Sequence, residues 1–431
     1  PVGSRMPAGR FVFAHLADAH VGAWPRAPAV RAALRESVLR ALAVVSERNA
    51  EFLLISGDLF HTPVPDPTEV APVAAALKRL VDEGRRIYVI YGSHDYVAHR
   101  TSWLDVLAAA GVFAKVAPEA VRSEGTRWTL PFLVDAPTGA RIAGISGRSH
   151  GLDREYFGAV DAEAFRAEPG FKIFQFHAAV EEYLPAGLRE HIRGIRREDL
   201  PEGCAYYAGG HIHYTYVGEG PGGGLLVNPG AVFGTSRTDL EHAVAGNTHQ
   251  GIVIVTAEGD RATAEFVDTA PRELLRLVDV DVTGRNAEEA RAELERRLAG
   301  VGGAGTLVFP KVHGTLSDGS VTSLSLSSVA RAVSADGRAV TWDVRDLTPA
   351  AADGTPRTDE ADVEGAEIAE LLEETRPEQP WLAGPEGERI VRELLRELGI
   401  PKAEGEARLD YTTARLEAAR KVLGLRPTVS G

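Results

Sequence analysis

The sequence predicts an α/β fold in which helices pack on a largely parallel β-sheet. Over residues 10–95, short apolar runs typical of buried strands alternate with longer segments whose apolar residues recur at helical spacing. The run Phe52–Ile55 consists of consecutive apolar residues and is followed by Ser56-Gly57, as in a strand that is covered on both faces. An alternating order of strands and helices calls for parallel strands that are joined through the helices.

The first part of the chain contains three predicted strands and two predicted helices. Pro28 suits the first turn of a helix, where a missing backbone N–H is harmless, and apolar residues follow it at helical spacing. In chain order the elements are strand Arg10–Leu16, helix Pro28–Asn49, strand Phe52–Ile55, helix Asp66–Glu83 and strand Ile87–Ile90.

Beyond residue 100 the pattern becomes richer in β-strands. Helices are predicted at Trp103–Ala110 and Arg154–Arg166, and the glycines at 222–224 are interpreted as a hairpin tip. The predicted strands are Val112–Val116, Trp128–Val134, Arg141–Ser146, Phe171–Phe176, Tyr206–Ala208, Leu225–Val227 and Gly251–Thr256.

The chain is expected to divide into four segments. They are a first domain at 6–269, a small α+β domain at 270–348, a linker at 349–385 and a helical pair at 386–424. The linker is inferred because this segment is acidic, contains proline and lacks apolar periodicity. The two C-terminal helices, Glu386–Leu398 and Glu404–Leu423, are amphipathic, and we expect them to dock on another surface.

The α+β segment contains strands and a helix in a mixed order. Strand Leu275–Val282, helix Ala287–Leu298 and strand Thr306–Val312 are expected to be followed by two more β stretches that end near Val344. A segment of this size can form a small core of its own.

Composition sets broad limits on function. The 431 residues are 44% hydrophobic and 25% charged, as in soluble globular proteins, and no apolar run approaches the about 20 residues of a membrane span. The single cysteine, Cys204, is expected to be a buried thiol and fits a reducing cytoplasm. The net charge of −14 is concentrated in residues 353–404, which hold 15 acidic and 6 basic residues. Charge therefore neither supports nor excludes a nucleic-acid substrate.

Carboxylates and imidazoles directly follow five predicted strands. We call these residues, together with the neighbouring Ser93, the strand-end cluster: Asp18, His20, Asp58, Ser93, His94, Asp95, His177, His211 and His213. Because the carboxyl ends of parallel strands meet at one edge of a sheet, these side chains are expected to converge. Such ligands suit Mn²⁺, Fe²⁺ or Zn²⁺, and they exceed what one metal needs. The sequence thus predicts two metals that share Asp58 and act on a phosphoryl group.

The order of these motifs resembles the calcineurin-like metallophosphoesterases. Their signature is Asp-x-His, Gly-Asp, Gly-Asn-His-Asp, His and Gly-His-x-His, and the matching motifs cover roughly residues 10–235. Gly57-Asp58-Leu59-Phe60-His61 and the long C-terminal extension are similar to the Mre-eleven/SbcD family of double-strand-break repair nucleases. The resemblance implies a two-sheet α/β/β/α metallophosphoesterase sandwich with a small α+β capping domain that binds DNA and a C-terminal helical tail.

The resemblance also implies roles for individual residues. One metal would be held by Asp18, His20, Asp58 and His213, and the other by Asp58, Ser93, His177 and His211. His94 would act near the leaving oxygen as a general acid or transition-state stabiliser, with Asp95 orienting its ring. His61 would help to place the DNA phosphate, or alternatively would be a histidine that lies behind the ligands or at the surface.

Ser93 departs from the family pattern, which has asparagine at this position. A hydroxyl is shorter than a carboxamide, so Ser93 is expected to reach a metal only through water. We therefore expect two Mn²⁺ ions, of which the second is bound more weakly.

The expected function is a Mn²⁺-dependent DNA nuclease that uses a metal-activated water. The resemblance implies 3′→5′ exonuclease activity on duplex DNA, endonuclease activity on single strands, an SbcC-type (Rad-fifty) ATPase partner at the C-terminal helices, a homodimer and a cytoplasmic, nucleoid-associated location. The alternatives are a phosphatase or nucleotide phosphodiesterase that acts on small molecules, and a non-catalytic repair scaffold whose metal site has decayed.

Overall fold

The computed structural model describes most of the chain in two compact units. The first unit holds the described residues up to 348, and the second holds two C-terminal helices. The described residues are 9–95, 101–116, 121–122, 128–147, 157–158, 160–185, 189, 192, 194–348, 385–398 and 408–423. The linker predicted at 349–385 lies outside the described residues except for its last residue.

Strands are numbered in chain order, and helices are named by their bounds. The strands are β1 (Phe11–Leu16), β2 (Phe52–Ser56), β3 (Arg86–Ile90), β4 (Ala114–Lys115), β5 (Val121–Arg122), β6 (Trp128–Thr129), β7 (Leu133–Val134), β8 (Arg141–Ile145), β9 (Lys172–Phe176), β10 (Tyr206–Ala208), β11 (Tyr216–Glu219), β12 (Leu225–Asn228), β13 (Gly251–Glu258), β14 (Arg261–Asp268), β15 (Leu275–Asp281), β16 (Leu307–Thr315), β17 (Ala339–Val340) and β18 (Leu347–Thr348). The α-helices are Pro28–Glu47, Pro67–Asp82, Trp103–Ala109, Ala162–Ala167, Arg237–Val244, Ala287–Leu298, Leu326–Ser334, Pro385–Leu398 and Arg408–Val422. No α-helix of the described residues is long and apolar enough to cross a membrane.

Two six-stranded sheets form the main body of the first unit. Sheet one has the strand order β14–β13–β1–β2–β3–β4, in which β1 to β4 are parallel and β13 pairs antiparallel with both β1 and β14. Sheet two has the order β11–β12–β10–β9–β8–β7, with β12, β10, β9 and β8 parallel. The glycines at 222–224 lie between the antiparallel strands β11 and β12, as the predicted hairpin tip requires.

The two sheets pack face to face. Because alternate residues of a strand point to opposite faces, one set of side chains lies between the sheets and the other packs against the helices. On β2, Leu53 packs with the helices, whereas Phe52 packs between the sheets. On β9, Ile173 lies between the sheets and Phe174 lies on the outer face, where its ring contacts Phe165 of the helix Ala162–Ala167 at 5.8 Å between centroids. The layers are therefore helix, sheet, sheet and helix, which confirms the predicted α/β/β/α class.

Residues 275–348 form a third, smaller sheet with its own core. Strands β15, β16 and β17 are parallel, and β18 pairs with β16. Two β stretches, β17 and β18, follow β16, but the sequence did not predict the helix Leu326–Ser334 that precedes them. Its Val329 and Val333 are four residues apart and share a buried face with Leu294, so helical packing outweighs the β preference of valine.

Two further predicted elements differ from the structure. The segment Trp128–Val134 is two short strands, β6 and β7, which pair with different neighbours. Pro131 stands between them and lacks the N–H that a continuous ladder needs. Of the helix predicted at Arg154–Arg166, the described residues are helical at 157–158 and at Ala162–Ala167 and are not helical at Val160 and Asp161, while 154–156 and 159 lie outside the described residues.

The second unit consists of the helices Pro385–Leu398 and Arg408–Val422. Arg415 of the second helix donates from Nη1 to the backbone carbonyl of Glu397 at 2.7 Å, so the two helices contact each other. This agrees with the two helices that were predicted.

Candidate metal centre

The structure brings the strand-end cluster together at the carboxyl ends of parallel strands. Asp18 and His20 follow β1, Asp58 follows β2, and Ser93 to Asp95 follow β3 in sheet one. His177 follows β9, and His211 and His213 follow β10, in sheet two. Because the sheets face each other, residues that are up to 195 positions apart in the sequence meet in one place.

One group of ligand atoms comprises Asp18, His20 and His213, whose nitrogen and oxygen atoms lie within 4.8 Å of one another. The Nε2 atoms of His20 and His213 are 3.1 Å apart. The same His20 nitrogen is 3.9 Å from Asp18 Oδ1 and 3.7 Å from Asp58 Oδ2. Two imidazoles and two carboxylates thus surround one point.

A second group comprises Asp18, Asp58 and His177. His177 Nε2 is 3.2 Å from Asp58 Oδ2, and the hydroxyl of Ser93 is 3.4 Å from the same oxygen. The ring of His211 lies beside that of His177, with 5.0 Å between centroids. Asp18 belongs to both groups, and Asp58 Oδ2 lies near an imidazole nitrogen of each, 3.7 Å from His20 Nε2 and 3.2 Å from His177 Nε2.

The orientation of His177 fits a metal ligand. Its Nδ1 donates to the backbone carbonyl of Ser56 at 2.8 Å, which leaves the lone pair of Nε2 free. Nε2 is buried and has no hydrogen-bond partner among the described residues, although it faces the carboxylate of Asp58. With a proton on Nδ1, the lone pair of Nε2 faces the Asp58 carboxylate, and this buried pair needs either a proton or a metal cation between its two atoms. The imidazole and carboxylate donors suit Mn²⁺, Fe²⁺ or Zn²⁺.

Unusual backbone conformations concentrate in this cluster. Of the seven non-glycine residues of the described chain with positive φ, four belong to it, namely Asp18, His20, Asp58 and His211. Hydrogen bonds hold these conformations, since the amide of His211 donates to Asp18 Oδ2 at 2.9 Å and the amide of His94 donates to Asp58 Oδ1 at 2.8 Å. Strain of this kind is typical of functional sites.

Two glycines allow the loops to approach so closely. Gly57 has φ of +90°, and a Cβ at this position would clash with the ring of His177. A Cβ at Gly92 would clash with the carboxylate of Asp58. The Gly-Asp and Gly-Ser-His-Asp motifs therefore need glycine for space as well as for the turn.

A family model of calcineurin-like phosphoesterases matches residues 11–214, a range that contains every residue of the strand-end cluster. Residues 11–214 form a calcineurin-like phosphoesterase domain. The metal-ligand geometry and the two-sheet fold of this phosphoesterase domain agree with that assignment.

Several curated relatives share the name DNA double-strand break repair protein Mre11. The one from Archaeoglobus fulgidus is 27% identical over 297 residues, which are 64% of this chain and 62% of the relative. The one from Methanopyrus kandleri is 26% identical over 297 residues, 66% of this chain and 62% of the relative. The one from Methanococcus maripaludis is 25% identical over 202 residues, 47% of this chain and 51% of the relative. The chain thus spans about half to three fifths of the length of these relatives.

The hydrogen bonds of His94 and Asp95 in the phosphoesterase domain differ from those expected from the sequence. The ring of His94 is exposed, and its Nδ1 donates to the backbone carbonyl of His61 at 2.9 Å. The buried Asp95 instead accepts hydrogen bonds from the amides of Gly92, Phe60 and Leu59 at 3.0, 3.1 and 3.3 Å. Asp95 therefore ties the loop after β2 to the loop after β3, and the prediction that it orients the ring of His94 is wrong.

His61 lies at the mouth of the phosphoesterase site. Its Nδ1 is 3.4 Å from Nδ1 of His20, and its ring stacks on that of His94 with 5.2 Å between centroids. His20, His61 and His94 place nitrogen atoms within 4.8 Å of one another. The position of His61 agrees with either of the two roles that the sequence left open.

Asp239 is a site residue that sequence reasoning missed. Its Oδ2 accepts a hydrogen bond from Nδ1 of His213 at 2.9 Å. Ser236-x-x-Asp239 is a capping-box pattern, which indicates the start of a helix but says nothing about which histidine the helix approaches. Arg237, the first residue of the same helix, is buried and paired with Asp279.

A buried polar cluster lies beneath the site. His15 contacts the hydroxyls of Tyr206 and Ser56 through its two ring nitrogens, each at 2.9 Å. Burial lowers the pKa of His15 to about 3, so this imidazole is neutral at physiological pH. His15 is fully buried in the core.

The phosphoesterase site favours positive charge between its ligands. Burial raises the pKa of Asp18 to about 6, and burial together with the charge of Asp58 raises that of Asp95 to about 7. Burial opposes the charged form of His177, but Asp58 outweighs it and raises the pKa of His177 to about 10. Burial and the neighbouring His213 hold the pKa of His20 well below its usual range. A cation at this place would replace the proton that the carboxylates attract.

Proposed function

We propose that the chain is a divalent-metal-dependent DNA nuclease of double-strand break repair. The observation that supports the chemistry best is the position of Asp58 between two groups of ligand atoms. The choice of DNA as the substrate rests on the relatives named DNA double-strand break repair protein Mre11. The likeness to two of them covers 297 residues and so extends beyond the phosphoesterase match at 11–214.

The proposed ligands build on the two groups of atoms: Asp58 is assigned to both ions, Asp18 to the first only, and Ser93 and His211 are added to the second. Asp18, His20, Asp58 and His213 would hold one ion, and Asp58, Ser93, His177 and His211 would hold the other. We propose Mn²⁺ as the metal, because mixed imidazole and carboxylate ligands suit it. Two divalent ions at such a site supply Lewis-acid chemistry, which lowers the pKa of water and neutralises charge on a phosphoryl group.

The residues of the chain contribute orientation and a proton. His94 donates from Nδ1 to a carbonyl, so its Nε2 is available at the exposed mouth of the site. From there it can hold a proton near the oxygen that leaves the phosphorus atom. Asp95 holds the two loops that carry Asp58 and His94 at a fixed distance, and His61 is placed to contact a phosphate beside His94.

A substrate comparison tests this function. Purified protein with Mn²⁺ would be given linear duplex DNA labelled at either end, single-stranded DNA and a nucleoside monophosphate. We expect 3′→5′ degradation of the duplex and endonucleolytic cleavage of single strands. Metal-free protein should be inactive. His94→Ala should be about 100–10,000-fold slower, as expected for loss of a general acid.

The other outcomes distinguish the alternatives. Hydrolysis of the monophosphate alone would overturn the nuclease proposal and would favour a phosphatase or phosphodiesterase that acts on small molecules. If no substrate is hydrolysed with any divalent metal, the chain is better explained as a repair scaffold. Cleavage that His94→Ala leaves unchanged would contradict the role of this histidine.

Partners and location are part of the proposal. We propose that the helices Pro385–Leu398 and Arg408–Val422 dock on an SbcC-type (Rad-fifty) ATPase, that the domain at 270–348 caps the DNA, and that the protein acts as a homodimer on nucleoid DNA in the cytoplasm. Removal of residues 385–431 should abolish co-purification of the ATPase while nuclease activity on short DNA is retained. Retained co-purification would contradict the docking site, and a monomer in analytical ultracentrifugation would contradict the dimer.

A further inference from the structure

The imidazole of His213 is held between two parts of the fold. Its Nδ1 donates to Asp239 Oδ2 at 2.9 Å, while its Nε2 faces Nε2 of His20 at 3.1 Å. A proton on Nδ1 leaves the lone pair on Nε2, which is the nitrogen that points at the ligand group formed with Asp18 and His20. The contact with Asp239 therefore decides which nitrogen of His213 can bind a cation.

Asp239 is itself held firmly in place. The same Oδ2 that accepts from His213 also accepts from the amides of Thr235 and Ser236 at 2.9 and 3.0 Å, and from the hydroxyl of Thr235 at 3.2 Å. The Asp239 side chain is only 13% exposed. An acceptor with this many donors cannot turn away from His213 without losing hydrogen bonds in a region that excludes most water.

We propose that Asp239 is a positioning residue for metal binding, acting through the hydrogen bond that it accepts from His213. A carboxylate on the far nitrogen of a histidine fixes the ring and raises its basicity as a ligand. Asp239 contacts neither substrate nor metal in this arrangement. The proposal rests on the metal-binding part of the proposed function.

A purely structural role for Asp239 must be separated from this one. Asp239 and Ser236 form a capping box at the start of the helix Arg237–Val244, in which the Ser236 hydroxyl accepts from the Asp239 amide at 3.2 Å. Ser236→Ala removes that half of the box without removing any contact of His213. It is therefore the matched control for a general loosening of the helix start.

The test is a calorimetric titration of full-length, metal-free protein with Mn²⁺. Asp239→Asn keeps the shape of the side chain but removes its charge. We expect it to weaken one of the two Mn²⁺ sites by about 10–100-fold and to leave the other near its wild-type affinity. Ser236→Ala should leave both affinities unchanged, even where thermal unfolding shows that it lowers stability. Asp239→Ser, which is small and suits a helix start, repeats the test if the asparagine variant does not fold.

The titration separates failure of this inference from failure of the proposed function. If the wild-type protein binds no Mn²⁺, the metal-dependent function itself is wrong, and the role of Asp239 falls with it. If the wild type binds Mn²⁺ and the Asp239 variants bind it equally well, only the positioning role is overturned. An equal loss of affinity in Ser236→Ala and Asp239→Asn would also overturn it, since the helix start would then explain the effect.

Discussion

At the scale of single residues, Ser93 has the shortest side chain of the proposed ligands. It lies 3.4 Å from Asp58 Oδ2, in a loop that Asp95 anchors through the amide of Gly92. We predict that the wild-type protein binds one Mn²⁺ tightly and a second more weakly, and that Ser93→Asn tightens the weaker site. Calorimetric titration of both proteins measures this directly.

Ser93→Ala provides the control for that prediction. It removes the hydroxyl altogether, so the weaker site should lose affinity further while the tighter site is unchanged. Two equally tight sites in the wild type would contradict the prediction. So would an alanine variant that binds like the wild type.

Substitution of His94 should lower the catalytic rate, whereas substitution of a metal ligand should lower Mn²⁺ affinity. Because the ring of His94 is exposed and donates to the carbonyl of His61, we expect His94→Ala to lower kcat by about 100–10,000-fold with little change in Mn²⁺ affinity. His249→Ala is the matched control, since His249 is an exposed histidine that pairs with Asp268 outside the site. Loss of Mn²⁺ binding in His94→Ala would show that His94 is a ligand and not a proton carrier.

The ligands of the site could be predicted from sequence, but the residues that support them could not. Each proposed ligand lies just after a strand, so parallel-strand geometry predicts that ligands of one sheet, such as Asp18 and Asp58, converge. The meeting of Asp58 with His177 depends in addition on the packing of sheet one against sheet two. Asp239 follows no strand, and it reaches His213 only because the helix Arg237–Val244 starts beside that histidine. The partners of Asp95 are backbone amides, which have no signature in the sequence.

At the scale of elements, Asp135 joins the two sheets. It lies after β7 of sheet two and is fully buried. Its carboxylate accepts from the guanidinium of Arg86 at 2.8 and 2.9 Å and from the hydroxyl of Tyr88 at 2.8 Å, both on β3 of sheet one. We predict that Asp135→Asn lowers the free energy of unfolding by about 2–3 kcal/mol at pH 7, as for loss of a charged hydrogen-bond partner. Urea unfolding measures this, with Asp260→Asn at the exposed β13–β14 turn as the control.

The contribution of Asp135 should depend on pH in a definite direction. Burial opposes its charged form, but the hydrogen bonds from Arg86, Thr138 and Tyr88 outweigh burial and lower its pKa. A carboxyl whose folded pKa is lowered stabilises the protein fully above its unfolded pKa of about 4, and this stabilisation is lost as pH falls through the folded value. The difference between wild type and Asp135→Asn should therefore be constant from pH 8 to 5 and should shrink below about 4. A difference that grows with acid would contradict this.

The parallel strands and long helices were predictable because their apolar periodicity is strong. The bounds Phe52–Ser56, Pro67–Asp82 and Ala287–Leu298 lie within a residue or two of those predicted. The helix Leu326–Ser334 was missed although its apolar residues recur at helical spacing, because its valines also favour strands; packing against Ala287–Leu298 supports the helix. Strand β14 was also not predicted. It pairs with β13 across the turn at Gly259-Asp260, and a Gly-Asp pair can mark the end of a domain as well as a turn.

At the scale of the whole molecule, Arg237 connects the phosphoesterase fold to the sheet of residues 275–348. It is 6% exposed, donates from Nη2 to Asp279 at 2.8 Å and donates from Nη1 to the backbone carbonyl of Phe309. The ring of Phe309 also contacts that of Trp24 at 5.8 Å between centroids. These contacts explain why residues up to 348 form one compact unit, although the predicted boundary near 269 remains a prediction.

Loss of Arg237 should weaken this connection. Arg237→Met keeps much of the packing but leaves the carbonyl of Phe309 without its donor, so we expect a loss of about 1–3 kcal/mol in the free energy of unfolding. Arg276→Met is the control, because the exposed Arg276 donates only to nearby backbone carbonyls of Glu273 and Leu275. Urea unfolding curves that are the same for both variants would show that Arg237 does not stabilise the contact.

The central claim is that the strand ends form a site for two cations that share Asp58. The most direct measurement is the number of Mn²⁺ ions bound per chain, determined by calorimetric titration of metal-free wild type and Asp58→Asn. Because Asp58 lies 3.7 Å from Nε2 of His20 and 3.2 Å from Nε2 of His177, its loss should weaken both sites at once. The account predicts two ions in the wild type and a loss of affinity at both sites in the variant. A wild type that binds no Mn²⁺, or an Asp58→Asn variant that loses one site and keeps the other intact, would contradict it.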